Sequence, residues 1–92
     1  MTWTWDLIKE QANIIKHGID FVLAQDVFND PFYVSRFEMS YHGNDRWQSI
    51  GMVGPALLFV VHTLPEDGVA GRIISARKVS RHERKAYEEG EF

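Results

Sequence analysis

Gly71-Arg72-Ile73-Ile74-Ser75-Ala76-Arg77-Lys78-Val79-Ser80-Arg81-His82-Glu83-Arg84-Lys85-Ala86-Tyr87 is the stretch on which the reading of the fold turns. Its first half is rich in β-branched and apolar residues and predicts a strand over 72–77. Ser80 and Glu83 then stand at the Ser-x-x-Glu spacing of a capping box, which predicts a short helix over 81–89, stopped by Gly90. Six of the chain's ten Lys and Arg residues lie here: Arg72, Arg77, Lys78, Arg81, Arg84 and Lys85. Among them sits a single acid, Glu83. A cationic strand–helix corner suits an anionic ligand, and phosphate is the first candidate.

Upstream, the elements can be read backwards from this corner. Residues 69–77 form the fifth strand, and 64–68 (Leu-Pro-Glu-Asp-Gly) a tight connection. Residues 56–63 are the most apolar strand, which places it centrally in the sheet. Gly54-Pro55 turns the chain out of a third strand over 46–53. Residues 38–45 are polar and contain Gly43-Asn44, read as a loop or hairpin connection after a second strand over 32–37. Asn29-Asp30-Pro31 ends a helix that Asp20 caps, with Phe21, Ala24, Val27 and Phe28 as its buried stripe. Asp6 caps an earlier helix carrying Leu7, Ile8, Ala12 and Ile15 at helical spacing, closed by Lys16-His17-Gly18. Thr2-Trp3-Thr4-Trp5 alternates as a short opening strand.

The order strand, two helices, four strands, helix predicts an α+β fold with an antiparallel sheet of about five strands. The N-terminal helix pair, with the larger apolar stripe, should cover one face. The last helix has few apolar positions and should dock loosely. No repeat or linker divides residues 1–92, so one domain is expected.

Composition excludes several classes. At 45% apolar and 13% aromatic, the chain is not disordered. There is no cysteine, so disulfide and thiolate chemistry are out and a cytoplasmic setting fits. The longest apolar run, 56–61, is too short to span a bilayer, and no export signal opens the chain. The net charge of −3 hides an asymmetry: residues 1–70 carry 4 basic and 9 acidic side chains, residues 71–92 carry 6 and 4. A protein that coats nucleic acid would be basic throughout; this pattern suits a focused phosphate site.

Arg77, where the fifth strand leaves the sheet, is the leading phosphate ligand, because a guanidinium binds phosphate bidentately. The plainer alternative is a surface salt bridge. Strict alternation sets Arg72 on the opposite face from Arg77 unless a bulge intervenes. Arg84 and Tyr87 share a helix face, to bind phosphate and stack on a base or to pack on the sheet edge. Arg81 and Lys85 form a solvated row, and Arg81 with Lys78 could equally meet an acidic partner. Glu83 is a candidate general base, although capping explains it more simply. His62 has the parity opposite to Leu57, Phe59 and Val61; if those face the core, it faces the open side of the sheet and can transfer protons, although a satisfied structural histidine is the plainer reading. His17 suits the negative end of its helix. The four histidines show no ligand spacing, so no metal and no cofactor are expected. The tryptophans read as core or partner anchors.

The residues Trp5-Asp6, Asn13, Lys16-His17-Gly18, Phe21, Val27-Phe28, Asp30-Pro31, Arg46, Gly51, Val60-Val61-His62-Thr63, Arg72-Ile73-Ile74-Ser75-Ala76-Arg77, Glu83-Arg84 and Tyr87 together resemble the BrnT toxin family, over nearly the whole chain. The resemblance implies a RelE-like ribonuclease fold and the toxin half of a type II toxin–antitoxin pair. It also implies a BrnA-type DNA-binding antitoxin in a heteromeric complex. The expected activity is metal-independent RNA cleavage. His62, Arg77, Glu83, Arg84 and Tyr87 would be the catalytic candidates, and Lys16, His17, Arg46, Arg72, Lys78 and Arg81 substrate contacts. Two rivals use the same corner: a non-catalytic nucleic-acid-binding module, and a protein-interaction subunit.

Overall fold

A computed structural model describes residues 3–92. The elements are β1 (Trp3–Trp5), α1 (Leu7–His17), α2 (Phe21–Ala24) running into a 3-10 turn (Gln25–Asn29), β2 (Val34–Tyr41), β3 (Asn44–Val53), β4 (Ala56–His62), β5 (Gly71–Lys78) and α3 (Arg81–Glu89). The expected order stands, and β4 is indeed central: the sheet runs β1-β5-β4-β3-β2. The sheet is mixed, however, because β1 pairs parallel to β5 while the other neighbours are antiparallel. The Trp-Thr-Trp alternation marks a strand but carries nothing about its partner's direction. The polar stretch 38–45 is not a loop; β2 and β3 extend through it into a hairpin whose turn holds His42 and Gly43 at positive φ. Of the opening strand, Thr2 lies outside the described residues.

Local chemistry sets the helix ends. Asp6 Oδ1 accepts from the Ile8 and Lys9 amides at 2.8 and 3.0 Å, and Gly18 closes α1 at φ 72°. Ser80 and Glu83 make the expected capping box.

The helix pair covers one sheet face. Phe21, Ala24, Val27, Leu58, Val60, Ile73 and Ala76 form the principal core there, with Trp3 and Ile19. Each large apolar side chain buried so contributes about 1.5–3 kcal/mol. Gly71 permits the close seat of Trp3, whose ring would lie 2.4 Å from any added Cβ. The other face carries a second cluster of Ile50, Leu57 and Phe59, covered by Val79, Tyr87 and Phe92. The last helix is therefore docked across a sheet face, not loose. Both parities of β4 are apolar because both faces are covered.

α1 overturns its expected orientation. Leu7, Ile8 and Ile15 are 71%, 81% and 86% exposed, while Glu10 and Asn13 are buried. The polar pair wins the inner side because it satisfies backbone there. Asn13 Nδ2 donates to the Ile19 and Ala76 carbonyls, its Oδ1 accepts from the Ala76 amide, and Glu10 Oε2 accepts from the Phe21 amide. Unpaired, each such buried group would cost about 1–3 kcal/mol.

Candidate active site

Arg77 leaves the end of β5 on the α3 side of the sheet. Two parallel bonds of 2.8 Å join its Nη1 and Nη2 to Glu83 Oε1 and Oε2. The guanidinium lies flat over Phe59, 4.1 Å from the ring centroid. The plainer alternative weighed for Arg77, a surface salt bridge, is therefore present, and its partner is the corner's one carboxylate, one turn into α3. Glu83 also fills the capping role weighed for it: Oε1 accepts from the Ser80 amide at 2.8 Å. The Arg77 bonds, against opposing burial, hold the Glu83 carboxyl below the usual carboxylate range. The Glu83 bonds raise Arg77 in turn, against its own partial burial. The result is a rigid, ionised pair at the surface, with Arg77 37% and Glu83 15% exposed. Three of the guanidinium's five N–H donors point at Glu83 and the Lys78 carbonyl, leaving others for an incoming anion.

A second arginine lies on the same face. Arg36 of β2 stacks over Phe92 at 4.2 Å, and Phe92 meets Phe59 edge-on at 6.3 Å. Arg36 and Arg77 thus flank one aromatic pair. Arg36 Nε donates to Gln48 Oε1 at 2.7 Å, which orients it. Sequence reading passed over Arg36. The available signal was its period-two spacing from Val34, which packs against the second cluster. Arg46 follows the same logic, since Arg46, Gln48 and Ile50 alternate onto this face along β3. Arg72 joins them through a bulge. Val61 pairs with Ser75 but His62 with Ile73, so the ladder slips at Ile74. Ile73 and Ala76 consequently share the principal core, and Arg72 falls on the same face as Arg77.

Other candidates lie elsewhere. Arg84 lines a separate shallow depression with Lys78, Pro55, Ala56, Leu57 and Val79, where β3 turns into β4. Arg81 is exposed on the first turn of α3. Tyr87 faces the sheet, and its hydroxyl donates to Asp30 Oδ2 at 2.6 Å. That bond, with burial and the Asp30 charge, pushes the Tyr87 pKa up to about 12. Asp30 also accepts from the Met52 and Phe32 amides, and although burial acts to raise its carboxyl, these bonds keep it below its ordinary value. The pair clamps α3 to the segment before β2.

Lys16 and His17 end α1, on the opposite side of the sheet. His62 takes the plainer of its two readings, a satisfied structural histidine: it is 1% exposed and shares the face of Leu58 and Val60. It does not look onto the open side, because Leu57 and Phe59 pack beneath α3 while Leu58 and Val60 make the principal core. Its Nε2 is 2.6 Å from Ser49 Oγ, and its Nδ1 2.8 Å from the Thr63 carbonyl. Burial lowers its pKa, partly offset by the Thr63 bond. Among the described residues, no group of three or more His, Asp or Glu side chains is arranged to hold a metal ion.

Residues 5–83 match the family model described as the ribonuclease toxin, BrnT, of type II toxin–antitoxin systems. The chain belongs to that family. As a BrnT-family protein it is a ribonuclease toxin whose biology involves RNA targets and an antitoxin partner. No curated protein matches the chain. The matched span contains Arg36, Arg46, Arg72, Arg77 and Glu83, so the whole arginine-bearing face of this BrnT chain lies within it. No helix among the described residues is long and apolar enough to cross a membrane.

Proposed function

We propose that the Arg77–Glu83 pair is the catalytic centre of a metal-independent endoribonuclease, working on the α3 side of a RelE-like sheet. The ionised Glu83 carboxylate takes the proton of a ribose 2′-hydroxyl. The freed oxygen bonds to the adjacent phosphorus, and the bond to the 5′ oxygen breaks, that oxygen leaving with a proton from solvent. The products are a 2′,3′-cyclic phosphate and a 5′-hydroxyl end. Arg77 and Arg36 carry the extra charge that develops on the phosphate, a role cations fill in place of a metal. Arg46 and Arg72 hold the flanking backbone, and Lys78, Arg81 and Arg84 extend the field around the corner.

The carrying observation is the bidentate contact of 2.8 Å between a phosphate-binding group and the corner's carboxylate. Tyr87, with its proton committed to Asp30, and the buried His62 act in this reading as positioning residues, and Lys16 and His17 serve the partner side. Cleavage of RNA by antitoxin-free protein in excess chelator, with a 2′-deoxy substitution at the cut site as control, tests it. Chelator-resistant cleavage that the deoxy substitution abolishes is expected. Cleavage of the deoxy substrate, or loss with chelator, would refute the mechanism.

In this reading a BrnA-type antitoxin with its own DNA-binding domain neutralises the toxin in the cytoplasm, and its seat is the outward stripe of α1. Ile8, Ala12 and Ile15 recur at helical spacing there, bordered by exposed Lys9 and Lys16. That surface fits an amphipathic segment with acidic residues along one flank.

A further inference from the structure

On the helix-pair side, a cavity of about 530 Å³ opens between the 3-10 turn, the start of β2 and the end of β4. That volume lies within the range of small-molecule sites, about 300–1,000 Å³. Trp3, Phe28 and Tyr33 supply its aromatic walls; Trp3 and Phe28 stack at 4.0 Å, and Tyr33 meets Phe28 edge-on at 5.5 Å. Gln25, Asp26, Asn29 and Ser35 supply its polar groups. No Lys or Arg lines it, and it holds the Asp26 carboxylate, so an anion is unwelcome inside.

The polarity of Ser35 can be derived. The Thr63 carbonyl can only accept, so His62 Nδ1 carries the proton and donates to it. Nε2 is therefore the bare nitrogen, and the Ser49 hydroxyl at 2.6 Å must donate to it. Ser49 has then spent its proton, so across the 2.6 Å contact the Ser35 hydroxyl donates to Ser49 Oγ. Ser35 Oγ is left with lone pairs only. With Asp26 beside it, the cavity asks for a ligand that is flat, uncharged and a hydrogen-bond donor.

We infer that this cavity seats one unstacked base of the RNA, and that it selects bases with an exocyclic amino group (adenine, cytosine or guanine) over uracil. Unpaired RNA bases are commonly stacked on aromatic side chains and read along their edges; an amino group offers two N–H to the Ser35 and Asp26 acceptors, whereas uracil offers one N3–H set between two carbonyl oxygens that those acceptors repel. The inference rests on the ribonuclease reading for the identity of the ligand. The phosphates would stay outside: Leu64 forms a wall of both this cavity and an adjoining depression that contains Arg72.

The test uses the full chain and free nucleosides. Adenosine, cytidine and uridine are titrated while the Trp3 indole resonance is followed by NMR. Adenosine or cytidine should bind at least tenfold tighter than uridine, and Ser35→Ala or Asp26→Asn should erase that difference. Equal affinity for all three, or no shift at Trp3, overturns the inference. A parallel assay of RNA cleavage separates it from the ribonuclease reading. Cleavage without nucleoside discrimination sinks the base pocket alone. Discrimination without cleavage supports the pocket and sinks the enzymatic reading.

Discussion

Arg77 and Glu83 meet fork to fork, with both bonds at 2.8 Å, and the arginine's plane rests on Phe59. The pair ties the last strand to the last helix, so it has a structural and a chemical consequence. Partly exposed ion pairs contribute little to stability, about 1 kcal/mol at most. Glu83→Gln should therefore keep the fold, with a melting temperature only a few degrees lower. It should cut cleavage at least a hundredfold while RNA affinity holds or rises, because the guanidinium is freed from its carboxylate. A variant with unaltered turnover would remove Glu83 from the role of base.

The Tyr87–Asp30 bond should behave as a clamp. Tyr87→Phe removes one hydrogen bond, at about 1 kcal/mol. Asp30→Ala costs more, about 2–3 kcal/mol, since it also strips acceptors from the Met52 and Phe32 amides. Urea denaturation of both single variants and the double should give a coupling energy of about 1 kcal/mol. Additive losses would show that the contact does not join the two elements.

How much of this was legible in the residues differs by element. The corner could be read closely: the Ser80–Glu83 box and Gly90 carry local stop and start signals that tertiary context did not override. The hairpin between β2 and β3 was one of the two readings of 38–45, but the length of its strands was hidden because their polar residues are those of a sheet margin facing water. α1 misled for a physical reason. Its apolar stripe is real, but burial went to the two side chains that could satisfy backbone groups of the α1–α2 link and β5, and periodicity cannot see those partners. For His62 the structural reading holds, and only the open face fails, because alternation gives relative, not absolute, faces, and β4 is apolar on both. Arg36 was obscured by the brevity of the strand first drawn around it, and Arg72's face by the bulge at Ile74.

The buried His62 sets an acid limit. Its pKa is lowered from 6.5, so between the two values the unfolded chain binds a proton that the folded chain refuses. Stability is then fully present above about pH 6.5 and falls as pH drops through that value, by up to about 1.4 kcal/mol per unit. Glu83, also lowered, adds a loss below its ordinary 4.5. Denaturation at pH 7 and pH 5.5 should show the first decline, and His62→Gln should be less stable at pH 7 but nearly flat over that interval. A wild-type curve without slope there would contradict the neutral buried ring.

The outward stripe of α1 should matter to the partner and not to the fold. Ile8→Asp with Ile15→Asp should leave the melting temperature within a few degrees, because both side chains are more than 80% exposed. The same pair should weaken co-purification with the antitoxin at least tenfold. Unchanged capture would move the interface elsewhere.

The most direct test compares RNA cleavage by purified, antitoxin-free Arg77→Ala and Arg84→Ala proteins with that of the unaltered chain in excess chelator. The account expects Arg77→Ala to lose at least a hundredfold in rate with its fold intact, and Arg84→Ala, in its separate depression, to lose far less. Full cleavage by Arg77→Ala would contradict it.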